Sequence, residues 1–283
     1  MRWLVTGADG MLGTDLVACL HAAGEDVVAA SRSHVDITDA DSVSDAVRGQ
    51  DVVVNAAAWT AVDDAETHED EAALVNGTGP RLLARASRQH GARLVQVSTD
   101  YVFDGSATEP YDEATSMCPV SAYGRTKMLG EVAVREELPD AHLVVRTAWL
   151  YGAHGACFPT TIARLARERG EVGVVSDQVG QPTWSGDVAD LVLRLVRADA
   201  PSGTYHATSS GQASWFEFAR AVVVAAGFEA SAVRPTSSAE FRRPAPRPAY
   251  SVLGHAALHR CGVEPIGDWA TRWAQAAPAV LRG

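Results

Sequence analysis

Two side chains four residues apart are the clearest candidates for acid–base chemistry. Tyr123 and Lys127 belong to the segment Ser121–Lys127, and a spacing of four places them on one face of a helix. A free phenol has a pKa near ~10, and a neighbouring ammonium lowers that pKa because it stabilises the phenolate. The pair could then shuttle a proton at neutral pH. The same spacing also arises by chance in surface helices, so the pair needs support from other residues.

That support comes from a hydroxyl at the end of an apolar segment. Ser98 and Thr99 follow the segment Arg93–Val97, whose valines and leucine predict a buried strand. Open α/β sheets bind ligands at the carboxyl ends of their strands, so we expect a hydroxyl of this pair to face a ligand. That hydroxyl can hydrogen-bond a carbonyl oxygen while Tyr123 protonates the same oxygen. Hydride delivery to a ketone is therefore the predicted chemistry.

Three glycines spaced three residues apart predict a loop that binds the phosphates of a nucleotide. Gly7, Gly10 and Gly13 lie between the predicted strand Arg2–Thr6 and the predicted helix Leu12–Ala23. The first glycine permits a tight turn, the second lets a pyrophosphate approach the backbone, and the third lets the helix pack closely on the strand. The N–H groups and the dipole of the helix N-terminus favour phosphate. The sequence therefore predicts a dinucleotide site rather than a simple turn.

The end of the second predicted strand bears on which nicotinamide dinucleotide binds. Sites specific for NAD place a carboxylate there for the ribose 2′-hydroxyl, whereas this chain has Ser31 and Arg32. An arginine can form a charge-assisted pair with a 2′-phosphate. We therefore expect NADPH to be the preferred cofactor. NADH is the alternative if both side chains simply face solvent.

Strand-like and helix-like segments alternate along the first half of the chain, which predicts an α/β fold. The predicted strands, which we expect to be buried on both faces of a parallel sheet, are Arg2–Thr6, Asp26–Ala30, Asp51–Ala57, Arg93–Val97 and His142–Arg146. The predicted helices are Leu12–Ala23, Ser42–Arg48, Glu71–His90 and Ser121–Glu137. The predicted fold class is a Rossmann-type doubly wound parallel sheet.

The second half of the chain is predicted to form a smaller and less regular lobe. Its predicted elements are Thr160–Arg169, Val172–Ser176, Ser185–Arg197, Gly203–Ala207, Trp215–Ala226 and Asp268–Leu281. Pro235 and the proline-rich run 242–248 are expected to break any regular element. We assign residues 1–150 to an NADP-binding domain, which part of residues 185–210 completes. Residues 151–283 are assigned mainly to a C-terminal substrate-binding lobe.

The composition of the 283 residues excludes several classes of partner and compartment. Lys and Arg number 24 against 35 Asp and Glu, a net charge of −11, so the chain lacks the positive surface that binds nucleic acid. No apolar run approaches the ~20 residues of a membrane helix, and the N-terminus lacks the apolar region of a secretory signal. Four widely separated cysteines predict a reducing compartment and no metal site. We therefore expect a cytoplasmic protein.

Several further motifs resemble those of one enzyme family. They are Val35–Asp39, Asn55–Ala58, Thr60–Glu66, Ser98–Gly105, Arg146–Gly152, Asp177–Thr183 and Arg247–Leu253. In order and spacing, over about residues 1–280, they are similar to the motifs of dTDP-4-dehydrorhamnose reductases, which are extended short-chain dehydrogenases/reductases. The resemblance is specific because the signatures Ser98–Phe103 and Asp177–Thr183 lie in different predicted lobes.

The resemblance implies roles for individual residues. Thr99 would polarise a C4 carbonyl, Tyr123 would donate the proton, and Lys127 would hold the nicotinamide ribose and tune Tyr123. The other implied cofactor-binding residues are Gly7, Gly10, Met11, Leu12, Gly13, Ser31, Arg32, Asp36, Ile37, Ala56, Ala57 and Ala58. The implied substrate-binding residues are Thr60, Val62, Tyr101, Trp149, Gln178 and Arg247.

Some of these residues have plainer structural explanations. Trp149 could be a packing residue after a buried strand, and Gln178 could belong to a plain turn. The arginines of the run 242–248 lie among prolines, either in a solvated linker or beside a substrate diphosphate. The acidic residues 63–71 are expected to form a solvated helix start that the helix dipole favours.

The function implied by the resemblance is NADPH-dependent reduction of the C4 ketone of dTDP-4-dehydro-L-rhamnose to dTDP-L-rhamnose. Another dTDP-4-keto-6-deoxysugar of an antibiotic deoxysugar pathway is the first alternative, since paralogous 4-ketoreductases share these motifs. A non-catalytic NADP-binding regulatory subunit is the second, which the intact catalytic residues disfavour. An epimerase or dehydratase is weaker, because a dehydratase usually has Asp-Glu where Thr99 precedes Asp100-Tyr101. A homodimer is also an expectation, since some members of the family are dimers.

Overall fold

The computed structural model describes residues 1–282, and Gly283, at the end of the predicted second lobe, lies outside the described residues. In chain order the strands are β1 (Arg2–Thr6), β2 (Asp26–Ala30), β3 (Val52–Asn55), β4 (Arg93–Thr99), β5 (His142–Thr147), β6 (Leu150–Tyr151), β7 (Val172–Val175), β8 (Val179–Gly180), β9 (Thr183–Trp184), β10 (Gly203–His206), β11 (Ala213–Ser214) and β12 (Val233–Thr236). The α-helices are α1 (Met11–Ala22), α2 (Ala40–Val47), α3 (Glu69–Ala73), α4 (Gly79–His90), α5 (Ala122–Glu137), α6 (Phe158–Arg169), α7 (Ser185–Arg197), α8 (Trp215–Ala225), α9 (Ala256–Arg260) and α10 (Trp269–Val280). Short turns of 3-10 helix lie at Asp64–Glu66, Asp100–Val102 and Ala230–Ala232, and a π-helical turn lies at Leu74–Thr78.

Six parallel strands form the central sheet, in the order β10-β5-β4-β3-β1-β2. The strand order reverses at β1, because β2 pairs with one side of β1 and β3 with the other. Side chains alternate along each strand, so α1 and α7 cover one face of the sheet while α2, α4 and α5 cover the other. The predicted doubly wound parallel sheet is therefore confirmed. Sheets of this kind bind ligands outside the carboxyl ends of the strands at the reversal point.

Two details of the predicted sheet are wrong. β2 is not buried on both faces, because it is the edge strand, and the Val28 and Ala29 side chains are exposed. β3 ends at Asn55 rather than at Ala57. The Asn55 side chain accepts a hydrogen bond from the Ala57 N–H at 3.2 Å and so turns the chain out of the sheet. The residues after Asn55 are therefore free to form a loop above the strand ends.

The predicted helix Glu71–His90 is interrupted by the π-helical turn between α3 and α4, which directs the Asn76 side chain into the interior. Its Oδ1 accepts a hydrogen bond from the Trp59 N–H at 2.9 Å, while its Nδ2 donates to the Trp59 carbonyl at 3.1 Å and to the Thr126 hydroxyl at 3.0 Å. Such turns occur frequently at functional sites. This one ties the loop after β3 to α5.

A second group of elements packs beside the central sheet around an aromatic core. α6, α8 and α10 surround the parallel pair of β7 and β12. The Phe218 ring lies within this core, 5.3 Å from the Tyr151 ring and 5.4 Å from the Trp273 ring between centroids. Pro235 was expected to break regular structure and lies instead in β12. A proline is tolerated there because each strand of a two-stranded ribbon has one unpaired edge.

The chain returns to the central sheet after part of this second group. α7 packs against α1, and β10 pairs with β5 at the edge of the sheet. α9 adds Ala257 and Leu258 to the same apolar core. The sheet therefore draws its strands from residues 2–147 and from residues 203–206.

A buried ion pair and its hydrogen bonds join α5 to β4 and β5 of the central sheet. Glu131 of α5 accepts two hydrogen bonds from Arg146 of β5, each 2.8 Å long, and one from Arg135 at 2.6 Å. The Ser98 hydroxyl near the end of β4 donates to the same carboxylate at 2.6 Å. Burial would raise the pKa of Glu131, but the hydrogen bonds and charges of the arginines hold that pKa below its usual value. The carboxylate is therefore ionised and fully bonded in the interior.

The variant Glu131→Gln tests this network, because it leaves the Arg146 guanidinium buried without a carboxylate. We expect the free energy of unfolding, measured by urea denaturation, to fall by about 3–5 kcal/mol. Glu136→Gln is the control, since Glu136 forms a surface pair with Arg81 and its loss should cost less than about 1 kcal/mol. A loss for Glu131→Gln as small as that of the control would show that the fold does not need the buried pair.

Candidate active site

A cavity of about 800 Å³ opens at the carboxyl edge of the sheet, where the strand order reverses. Most predicted site residues line it: Gly7, Gly10, Met11, Leu12, Gly13, Ser31, Arg32, Asp36, Ile37, Ala56, Ala57, Ala58, Thr60, Val62, Thr99, Tyr101, Tyr123, Lys127 and Trp149. Residues that the sequence analysis did not select also line it, among them Asp9, Asn55, Trp59, Asp100 and Thr147. The fold thus brings nearly all of the predicted residues to one place.

The glycine loop lies at the N-terminus of α1, where the backbone can receive an anion. The helix begins after Gly10 with no side-chain cap on its first N–H groups and no acidic residue in its first turn. Gly7 has a φ of +69°, and a Cβ on Gly13 would lie 2.1 Å from the Gly7 carbonyl oxygen. An uncapped helix N-terminus carries a partial positive charge that favours phosphate. The loop therefore fits the diphosphate of a dinucleotide.

Polar side chains after β2 line the far end of the same cavity. The Ser31 hydroxyl hydrogen-bonds the His34 ring at 2.7 Å. Asp36 accepts hydrogen bonds from the Thr38 hydroxyl at 2.7 Å and N–H at 2.9 Å, which lower the pKa of Asp36. Arg32 is exposed beside them. This end of the cavity therefore offers a hydroxyl and a guanidinium where NAD-specific sites place a carboxylate.

Thr99, Tyr123 and Lys127 lie together on the cavity wall. Thr99 is the last residue of β4, and the other two lie one turn apart on α5. The Ser121 side chain caps the start of this helix. The Lys127 Nζ donates a hydrogen bond to the Val97 carbonyl at 2.8 Å. The helix and the strand end thus place a hydroxyl, a phenol and an ammonium beside the same space.

Burial brings the pKa of Lys127 close to neutral pH. It lowers this pKa to about 8, and the negative charge of Glu131, one turn along α5, opposes that shift. The side chain is therefore mainly cationic at neutral pH.

The predicted lowering of the Tyr123 pKa by Lys127 stays a prediction, because Lys127 is not among the groups that shift this pKa here. Burial raises the pKa of the Tyr123 phenol to about 12, the Thr99 hydroxyl opposes that rise, and the Asp100 carboxylate adds to it. The Lys127 ammonium is directed at the Val97 carbonyl instead. The phenol is therefore protonated at neutral pH, which is the state that a proton donor needs.

Asp100 is a buried residue of the site that sequence reasoning missed. Its carboxylate accepts a hydrogen bond from the Thr99 hydroxyl at 3.0 Å. Burial raises the pKa of Asp100 to about 6, although hydrogen bonds from the Ser251 and Thr99 hydroxyls oppose the rise. The available signal was its position directly after a buried strand, since such positions face the ligand edge of a parallel sheet.

Aromatic rings form a further part of the cavity lining. Trp149 has a φ of +47°, which is strained for a residue with a side chain, and its ring stacks on Trp215 with 3.6 Å between centroids. Tyr101 meets Tyr123 edge-on with 5.6 Å between centroids. Trp149 is therefore both a packing residue and part of the cavity wall.

Two predicted substrate-binding residues are not among those that line the cavity. The Gln178 Nε2 donates a hydrogen bond to the Ser238 hydroxyl at 2.8 Å, so a role in substrate binding stays a prediction. Arg247 lies next to Tyr101, with its guanidinium carbon 5.9 Å from the centre of that ring. It also forms an ion pair with Asp63 at 3.0 Å. Arg247 therefore contacts a lining residue rather than the cavity itself.

The acidic residues 63–71 are not simply a solvated helix start, as was expected. Asp63 binds the proline-rich segment 242–248, and Glu69 accepts two hydrogen bonds from the Arg125 guanidinium at 2.6 and 2.7 Å. The first of these contacts anchors residues 242–248 through Arg243 and Arg247, although Arg242, Pro244 and Pro246 are exposed. Sequence reasoning missed both pairs because their members are far apart in the chain.

Comparison with known proteins agrees with this fold and this set of residues. The family model described as the RmlD substrate binding domain matches residues 1–281. A dTDP-4-dehydrorhamnose reductase of Streptomyces griseus is 48% identical over 285 residues, which cover 99% of this chain and 94% of that protein. This chain belongs to the dTDP-4-dehydrorhamnose reductase family.

Two further proteins show how this member of the dTDP-4-dehydrorhamnose reductase family relates to others. A dTDP-4-keto-6-deoxy-D-glucose reductase of Streptomyces niveus is 49% identical over 279 residues, covering 98% of this chain and 96% of that protein. A crystal structure of dTDP-4-dehydrorhamnose reductase from Bacillus anthracis, in complex with NADP, matches with a TM-score of 0.93 and 36% identity. That match covers 97% of this chain and 98% of the other. The family resemblance predicted from the motifs is confirmed.

Among residues 1–282, no helix is both long enough and apolar enough to cross a membrane. The described residues also place no group of three or more His, Cys, Asp or Glu side chains where it could hold a metal ion. The homodimer expected of this family member stays a prediction.

The lowered pKa of Lys127 predicts that stability depends on pH. An ordinary lysine has a pKa of 10.5, so between about pH 8 and pH 10 the unfolded chain binds more protons here than the folded chain. Stability therefore rises with pH in this window. We expect the free energy of unfolding, measured by urea denaturation, to increase by about 1–2 kcal/mol between about pH 7.5 and 9.5.

The variant Lys127→Met isolates this effect, because methionine has a similar shape and does not titrate. Its unfolding free energy should lack the increase over the same pH window, while all other groups titrate as before. An equal increase in both proteins would assign the pH dependence to other groups and contradict the prediction.

Proposed function

We propose that this chain reduces the C4 ketone of dTDP-4-dehydro-L-rhamnose to dTDP-L-rhamnose, with NADPH as the hydride donor. The observation that carries the proposal is that Thr99, Tyr123 and Lys127 line one cavity together with the glycine loop of α1. Membership of the family supports the same reaction, since the relative from Streptomyces griseus is named for it.

The proposal assigns a role to each of the three catalytic residues. NADPH, when bound, supplies a hydride to the carbonyl carbon of the substrate. The protonated Tyr123 phenol donates its proton to the carbonyl oxygen, and the Thr99 hydroxyl hydrogen-bonds the same oxygen as charge develops on it. The Lys127 ammonium holds the nicotinamide ribose and stabilises the phenolate that remains after the proton has left.

The residues around the far end of the cavity support NADPH over NADH. Ser31 and Arg32 stand where a carboxylate would select the 2′-hydroxyl of NAD, and a guanidinium pairs well with a 2′-phosphate. The structure of the Bacillus anthracis relative was solved with NADP. In this arrangement Asp36 and Ile37 border the adenine, and residues 56–58 run along the adenine-side ribose toward the nicotinamide. NADH is the alternative cofactor.

The sugar is proposed to bind at the other end of the cavity. Thr60, Val62 and Tyr101 border this space, and the Trp149 ring would lie against the sugar. Arg247 contributes through its contact with Tyr101. In this proposal residues 1–150, with part of residues 185–210, form the NADP-binding domain, and residues 151–282 form most of the substrate-binding lobe. A cytoplasmic location is proposed because all four cysteines are free thiols.

A second candidate function keeps the chemistry and changes the sugar. The relative from Streptomyces niveus is named as a reductase of dTDP-4-keto-6-deoxy-D-glucose, and its identity of 49% is as high as that of the relative named for rhamnose synthesis, at 48%. The catalytic residues would be the same for both sugars, since each reaction reduces a C4 ketone. Only the shape of the sugar end of the cavity would distinguish them.

The first experiment compares NADPH and NADH oxidation in the presence of enzymatically prepared dTDP-4-dehydro-L-rhamnose, with the product identified by NMR. We expect rapid NADPH oxidation that yields dTDP-L-rhamnose, and slower oxidation of NADH because Arg32 would lack the 2′-phosphate. Turnover of dTDP-4-keto-6-deoxy-D-glucose alone would favour the second candidate. Tight NADPH binding with no turnover of either sugar would contradict both and favour a non-catalytic NADP-binding subunit.

The variant Tyr123→Phe tests the proton donor, because it removes one hydroxyl and keeps the ring that packs on Tyr101. We expect kcat to fall by about 10²–10⁴-fold while the Kd for NADPH stays unchanged. Tyr205→Phe is the matched control, since the Tyr205 hydroxyl donates to the Pro201 carbonyl and does not line the cavity. A kcat for Tyr123→Phe near that of this control would rule out the assignment.

A further inference from the structure

Three groups of the proline-rich segment 242–248 converge on one carboxylate. Asp63 accepts a hydrogen bond from the Ala245 N–H at 3.2 Å. Its oxygens also form ion pairs with Arg243 at 2.6 Å and with Arg247 at 3.0 Å. Asp63 belongs to the loop after β3, whereas the segment lies between β12 and α9. One side chain therefore joins two distant parts of the chain.

The same cluster reaches the proposed proton donor through two aromatic rings. The Arg247 guanidinium carbon lies 5.9 Å from the centre of the Tyr101 ring, and Tyr101 meets Tyr123 edge-on. Tyr101 lines the cavity, whereas Asp63 and Arg247 do not. A displacement of Arg247 would therefore displace the Tyr101 ring and change the shape of the sugar end of the cavity.

The pair of Asp63 with Arg247 is more sheltered than an ordinary surface ion pair. The side chains of Asp63 and Arg247 are 24% and 18% exposed, whereas that of Arg243 is 50% exposed. Burial would raise the pKa of Asp63, but the Ala245 N–H and the charges of Arg247 and Arg243 hold that pKa below its usual value. The prolines restrict the segment 242–248 before it docks, so ordering it costs less conformational entropy than ordering a flexible loop.

We propose that Asp63 is a positioning residue of the substrate site, which holds the segment 242–248 in place and keeps Arg247 packed on Tyr101. Asp63 acts through these side chains, since it does not line the cavity itself. The effect of Asp63 on sugar binding rests on the proposed function. Its effect on the position of the segment 242–248 does not, because that effect follows from the contacts of Asp63 alone.

The variant Asp63→Asn removes the charge and keeps both the shape and an acceptor for the Ala245 N–H. We expect the KM for the dTDP-4-keto sugar to rise about tenfold and kcat to change less than about threefold. The reason is that the substitution weakens binding of the sugar and leaves the residues that transfer the proton in place. The Kd for NADPH should stay unchanged, and Asp63→Glu should recover part of the KM. Asp64→Asn is the matched control, since Asp64 forms only an exposed pair with His68.

Limited digestion with trypsin tests whether Asp63 keeps the segment 242–248 docked, and it needs no measurement of activity. The bond after Arg242 is the one bond within residues 242–248 that trypsin accepts, because a proline follows both Arg243 and Arg247. We expect Asp63→Asn to be cleaved after Arg242 about tenfold faster than the wild type, because local opening of the segment becomes easier. Asp64→Asn should be cleaved at the wild-type rate, with the products identified by mass spectrometry.

The two measurements separate the possible failures. A KM for Asp63→Asn within about twofold of the wild type, or an unchanged rate of cleavage after Arg242, would overturn the positioning role. If Asp63→Asn does not fold, Asp63→Glu carries both measurements, with smaller changes expected in the same direction. If the wild type reduces no dTDP-4-keto sugar, the proposed function fails, and the cleavage rates alone decide whether Asp63 holds the segment.

Discussion

The buried ion pair between Glu131 and Arg146 sets the geometry on which the site depends. It joins α5 to β5, and the same carboxylate receives the Ser98 hydroxyl from the end of β4. Thr99 is the next residue along β4, and Tyr123 lies two turns before Glu131 on α5. The position of the helix relative to the strand end is therefore fixed by charge-assisted hydrogen bonds, which tolerate little change in distance or angle. A core held by apolar contacts alone would let the helix slide along the sheet at smaller cost.

Burial shapes the chemistry of the site as strongly as position does. It raises the pKa of the Tyr123 phenol and lowers that of the Lys127 ammonium, so both groups are pushed toward their neutral forms. In the proposed reaction, loss of the phenol proton would leave a phenolate and an ammonium in a medium of low dielectric, where their attraction is strong. The same desolvation that keeps the phenol protonated at rest therefore strengthens the charge pair formed during proton transfer.

The parts of the molecule that the sequence could predict are those whose causes are local. A glycine loop between a strand and a helix, a hydroxyl after a buried strand, and two side chains four residues apart all act within a short stretch of chain. The rest depended on distant partners. The exposure of β2 follows from its place at the sheet edge, and the ion pair of Asp63 with Arg247 joins residues from opposite halves of the chain. The π-helical turn at Asn76 is stabilised by Trp59 and Thr126, which periodicity cannot reveal.

The path of the chain through the central sheet bears on how the protein is made. β5 pairs with β4 on one side, but its partner on the other side is β10, and the whole of β6 to α7 is synthesised between them. A chain emerging from the ribosome therefore presents an open edge at His142–Thr147, with the apolar side chains of Leu143, Val144 and Val145, until residues 203–206 have followed. Unpaired edges of this kind recruit other strands and promote aggregation. The synthesis of residues 148–202 is therefore an interval in which this edge is open to aggregation, and the interval ends when β10 pairs with β5.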